Sequence, residues 1–156
     1  MKIRTGMQLA VIVLFVLAMV SLVRSCKRDP AQMQLFERLA MMRSDMQAVI
    51  GNGGRVTNYD DNRKTTFARV YILLSIDKQT WTINLQRAYR DTLLARGWTQ
   101  VRGAADVLSF CKNGAFAVLS DSAAANGGYV DMEFDANSLA QCREALAANA
   151  ASDVGR

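Results

Sequence analysis

The sequence predicts an α+β domain with an antiparallel sheet, carried behind one N-terminal membrane helix. Three observations predict it. Asn113-Gly114 separates two alternating segments, Val107–Lys112 and Ala115–Ser120, which is a strong hairpin signal. Helical periodicities precede, interrupt and follow the strand-like runs, an order suited to an α+β arrangement. An apolar run with basic flanks opens the chain.

That opening run is Met7 to Val23, broken only by Gln8 and Ser21. As a helix rising about 1.5 Å per residue it would reach about 25 Å, the short end of a membrane span. Lys2 and Arg4 precede it; Arg24, Lys27 and Arg28 follow. Residues 1–28 are therefore expected to be a signal anchor, single-pass in an inner membrane. Two alternatives stay open. Val23-Arg24-Ser25 has acceptable residues for signal-peptide cleavage, although Arg24 directly after the apolar run is unusual there. Leu22 to Cys26 is similar to a bacterial lipobox at several positions, which would make Cys26 a lipidation site. Arg24 stands where that pattern has a small uncharged residue. Basic charge is nearly balanced across the run, so orientation has to come from the cysteines.

Residues 29–146 are expected to form the folded domain. Asp29-Pro30-Ala31-Gln32 is a helix start, with Asp29 as N-cap, Pro30 in the first turn and Gln32 reaching back. The helix should run to Ile50 and stop at Gly51-Asn52-Gly53-Gly54. Leu35, Leu39, Met42, Met46 and Val49 form one apolar seam. Packing on the domain's own sheet is the expected use of that seam; a partner seam, adaptable through its methionines, is the alternative. Arg55 to Thr66 reads as a long polar connection. Phe67 to Ile76 reads as a strand, and Asp77 to Arg96 as a helix with Trp81, Leu85, Tyr89 and Leu93 on one stripe and Gly97 as its stop. Trp98 to Val101 is a short strand.

A two-residue hairpin loop pairs Lys112 with Ala115 and Cys111 with Phe116. Both faces of this hairpin are apolar, so it should be central and covered on both sides. Asp121 to Gly128 reads as a loose connection. Tyr129 to Phe134 is a strand with Val130, Met132 and Phe134 on one face and Tyr129, Asp131 and Glu133 on a wet one. Asn137 or Ser138 should cap a last helix carrying Leu139, Cys142 and Leu146. Residues 147–156 are expected to be a frayed tail.

Cys111 on the hairpin and Cys142 on the last helix are expected to form a disulfide. Together with the signal-like start, this points to an oxidising compartment, the periplasm of a bacterial cell. The chain has 19 basic and 14 acidic residues, a formal net charge of +5. Removing Lys2, Arg4, Arg24, Lys27 and Arg28 from the 19 leaves as many basic as acidic residues among the 14 of each sign that remain. The excess brackets the apolar run, so it indicates lipid headgroups and excludes a nucleic-acid partner on charge grounds.

The chain has no histidine, which removes histidine triads and histidine metal sites. No phosphate-loop motif and no zinc-type cysteine spacing occurs, so no cofactor is expected. Asp131, Glu133 and Asp135 form an i, i+2, i+4 carboxylate row, a weak acidic-site candidate for cation binding or acid–base work. The expected function is non-enzymatic: a protein-binding subunit or accessory of an envelope assembly. A ligand-binding or hydrolytic domain using the acidic row, and an inhibitor or immunity-type protein, are the alternatives.

Overall fold

The computed structural model describes residues 30–61, 69–102, 107–122 and 127–154. The apolar run 7–23, Asp29 and Cys26 lie outside those residues. Among the described residues no helix is long and apolar enough to cross a membrane. The chain divides into units Met1–Met33 and Gln34–Arg156, and the second carries the fold.

The described elements, in order, are α1 (Pro30–Ile50), β1 (Val56–Asp60), β2 (Val70–Asp77), α2 (Ile83–Ala95), β3 (Thr99–Val101), β4 (Val107–Lys112), β5 (Ala115–Ser122), β6 (Gly127–Phe134) and α3 (Ala136–Val154). The strands form one six-stranded antiparallel sheet in the order β1-β2-β6-β5-β4-β3. α2 carries the chain from β2 to the far edge, and the β3-β4-β5-β6 meander fills the gap. The predicted α+β class and antiparallel sheet are thus present.

Alternation decides the two faces. Ile72, Leu74 and Ile76 of β2, Val130 and Met132 of β6, Ala117 and Leu119 of β5 and Phe110 of β4 share one face and are buried. α1 and α2 close that face. Leu39, Met42, Met46 and Val49 are all at most 3% exposed in this core, with Leu35 packed at its margin. The seam is therefore spent on the domain's own sheet. It is not available as a partner seam, because burying each such side chain already stabilises the fold by about 1.5–3 kcal/mol. Tyr89 and Leu93 do the same for α2, and the Tyr89 hydroxyl donates to the Gly53 carbonyl at 2.6 Å.

The hairpin forms in the predicted register, Lys112 opposite Ala115 and Cys111 opposite Phe116. Asn113 at φ 52° and Gly114 at φ 82° supply the left-handed pair that a two-residue loop needs. α3 covers only part of the second face, where Val101, Cys111, Cys142, Phe116 and Ala145 pack together.

Several boundaries differ from the sequence reading. β1 lies inside the expected polar connection, pairing Val56 with Ile76 and Tyr59 with Leu74. The sequence pattern does not show it, because it is an exposed edge strand whose alternation is broken by a register shift between Val56 and Asn58. α2 begins at Ile83 and not at Asp77, because Thr82 is its N-cap and accepts from the Leu85 N–H. Trp81 therefore precedes the helix. Its ring meets Tyr89 edge-on at 5.7 Å. β5 and β6 extend into the expected 121–128 connection. α3 continues to Val154, past the expected domain end at 146: an alanine-rich segment is a good helix former, and Asn149 is tied to the Gln100 carbonyl at 3.1 Å.

Gly128 is where Trp81 lies directly on the backbone of β6. A Cβ there would fall inside the indole ring. Gly128→Val is expected to destabilise by about 3 kcal/mol, the upper end of overpacking costs. Urea unfolding with near-UV circular dichroism checks this; an unchanged Trp signal and midpoint would contradict it.

Candidate functional site

The second face of the sheet is only partly covered by the described residues. Beyond α3, β2 presents Tyr71 and Leu73, β6 presents Tyr129, Asp131 and Glu133, and β5 presents Val118, all half-buried. This is the wet face expected of β6, and it contains the predicted acidic row.

The three carboxylates have different surroundings. Asp135 lies beyond the strand and caps α3. Its Oδ1 accepts from the Ser138 N–H at 2.8 Å while its own N–H donates to Ser138 Oγ at 2.8 Å, a reciprocal capping box. The cap is thus Asp135, not Asn137 or Ser138, because β6 delivers the chain to the helix one turn early. Glu133 accepts from Arg69 Nη2 at 2.5 Å, and Arg69 Nε is 3.8 Å from Asp135 Oδ2. The same guanidinium lies 5.6 Å from the Tyr71 ring centroid, and the Tyr71 hydroxyl donates to Asp60 Oδ2 at 2.8 Å. Two hydrogen bonds and a cation–π contact thus link Asp60, Tyr71, Arg69 and Glu133 into a belt along one end of the face.

Asp131 stands apart from that belt. Its strand neighbours are Leu73 on β2 and Val118 on β5. Burial between them, with the Glu133 charge on the same face, pushes its pKa up to about 6, against a smaller opposing pull from Arg69. That value lies above the ordinary carboxylate range near about 4. The folded domain therefore holds this proton more tightly than the unfolded chain does. The contribution is present below about pH 4 and lost as pH rises through about 6. Asp131→Asn is expected to raise the melting temperature near neutral pH and to leave it unchanged near about pH 4. A difference that stays constant across a pH series of melts would contradict the assignment. Among the described residues no group of three or more Cys, Asp or Glu is placed to hold a metal ion.

The predicted cysteine pair is brought together. Cys111 on β4 and Cys142 on α3 have Cα atoms 5.5 Å apart and Sγ atoms 2.15 Å apart, in disulfide geometry. Cys26 lies outside the described residues.

The most polar buried site was not anticipated from the sequence. Asp45 of α1 is 1% exposed. Its carboxylate accepts from Arg96 Nε at 2.7 Å, Trp98 Nε1 at 2.9 Å and Lys112 Nζ at 2.7 Å. Lys112 also donates to the Arg96 carbonyl at 2.6 Å, and Arg96 Nη2 to Ser44 Oγ at 2.6 Å. This cluster joins α1 to the end of α2, to the start of β3 and to β4. The available signal was an aspartate three residues after Met42 and four before Val49, inside the apolar seam.

The chain matches no protein-family model, no curated protein and no solved structure. The described residues define an α+β domain with a half-covered antiparallel sheet, and functional assignment rests on its chemistry.

Proposed function

We propose that this is a membrane-tethered, extracytoplasmic protein-binding domain, a subunit or accessory of an envelope assembly that docks through the uncovered half of its sheet. The observation that carries the reading is the half-buried patch of Tyr71, Leu73, Val118 and Tyr129 around Asp131. Aromatic and aliphatic side chains that stay partly wet, around few charges, have the composition of an interface core. The Asp60–Arg69–Glu133 belt would be its polar rim. Tethering is supported by the basic-flanked apolar run 7–23. The extracytoplasmic side is supported by the Cys111–Cys142 pairing, since such bonds persist in oxidising compartments.

A photocrosslinking residue placed at Leu73 in the full-length protein, in its native cells, tests the reading. A discrete protein adduct at Leu73, missing when the probe replaces exposed Gln47 on α1, is the expected result. The same adducts at both positions, or none at Leu73, would overturn it. Asp131→Asn with Glu133→Gln separates off the acidic-site alternative: a ligand site built on the two carboxylates would be abolished, whereas docking that rests on Tyr71, Leu73, Val118 and Tyr129 should weaken at most and keep the Leu73 adduct.

A further inference from the structure

We infer that the cleft between α2 and the ends of β4 and β5 is a binding site for a small carboxylate with a branched apolar body, of the kind an acylated amino acid presents. It lies apart from the acidic belt of the uncovered face and does not depend on the docking proposal. The cleft is open to solvent on one side and has a volume of about 340 Å³, at the small end of ligand sites.

Its walls differ in chemistry. Ile83, Val107 and Leu108 supply the apolar surface. Ile83 is 60% exposed, a large side chain left in water at the first position after the α2 cap. Arg87 and Arg90 line the same cleft from α2, one turn apart. Arg87 makes no hydrogen bond or ion pair among the described residues. Among the described residues Arg90 is held only by its neighbour Asp91, at 2.8 Å, and that carboxylate is 60% exposed. An exposed adjacent pair of this type is weak, so both guanidinium groups are available to an anion, and a fork of two arginines suits a carboxylate.

Asp121 is the opposing polar wall. Its Oδ1 accepts from Trp81 Nε1 and, at 2.8 Å, from Gln86 Nε2. These two neutral donors fix the carboxylate in place without cancelling its charge. Its second oxygen has no donor among the described residues and is left to accept an N–H from the ligand. A carboxylate, an amide N–H and an aliphatic branch on adjacent atoms therefore match the arginine, aspartate and isoleucine walls together.

N-acetyl-leucine titrated into the full-length protein, followed by amide chemical shifts, tests this. Saturable shifts centred on 83–90 and 107–108 are expected. The neutral analogue N-acetyl-leucinamide should bind about tenfold more weakly, for loss of the charge-assisted contact. Arg87→Gln with Arg90→Gln should remove that preference. Both side chains lie outside the core, so the fold should persist, as the unchanged remainder of the spectrum would report. No saturable shift, equal binding of acid and amide, or a preference that survives the arginine changes would overturn the site. A tripeptide ending in leucine that binds more than about tenfold tighter would place the carboxylate on a protein C-terminus and overturn the small-molecule assignment.

Discussion

Asp45→Ala is expected to destabilise the domain by about 3–5 kcal/mol, the cost of removing one partner from a buried charge cluster. Three donors converge on this carboxylate, and it is 1% exposed. Without it, the Trp98 N–H is buried with no acceptor and the Lys112 ammonium, only 18% exposed, loses its counter-charge. Arg96 is 41% exposed and can turn to water, so it adds little to the loss. Asp45→Asn should fall between parent and alanine variant: its oxygen still accepts, but its amide meets donors where an acceptor is needed. Urea unfolding followed by Trp fluorescence measures both changes, with Trp98 reporting at the site. A loss below about 1 kcal/mol for the alanine variant would mean that the cluster is not held together in solution.

Loss of the Cys111–Cys142 bond is expected to cost roughly 3–4 kcal/mol, the chain-entropy value for a loop of this size. The sequence separation is 31 residues, and the bond joins α3 to the second sheet face. Leu139 and Leu146 remain 40% and 41% exposed, so of the stripe predicted with Cys142 only the cysteine is fully buried. Reduction should therefore loosen α3 first. Mass analysis after alkylation, with and without reductant, reads the bond directly. Hydrogen exchange then reads whether 136–154 loses protection before the strands. Alkylation of both thiols in unreduced protein, or equal loss of protection in β2 and α3, would contradict this.

The parts of the fold legible in the sequence are those set by local spacing. Asn113-Gly114 specifies a turn, and a turn of known length specifies the register of β4 against β5. The alternation in β6 separates Val130 and Met132 from Asp131 and Glu133 without reference to any other element. β1 was hidden for the converse reason. An edge strand has one hydrogen-bonded neighbour and mostly exposed side chains, so little hydrophobic pattern is required of it, and its register shift removes what remains.

The candidate site was legible only as a set of residue types. Asp131, Glu133 and Asp135 look equivalent along the chain. The structure gives one an arginine 64 residues away, turns another into a helix cap and leaves the third between two aliphatic side chains. Asp45 looked like a charge on a helix, and its three donors lie 51, 53 and 67 residues further on.

The net charge of +5 shows the same division. The sequence by itself determines that the excess flanks an apolar run and that residues 29–156 are neutral, because position along the chain is all that this requires. It also shows 11 basic against 7 acidic residues in 29–102 and 3 against 7 in 103–156. Only the tertiary structure decides what becomes of that polarity. Folding brings Arg96 and Lys112 to Asp45 and Arg69 to Glu133, while Arg87 and Arg90 line a cleft opposite Asp121. The physical reason is range: propensity, capping and alternation act over a few residues, whereas a charge responds to whatever the packed chain places within a few ångströms of it.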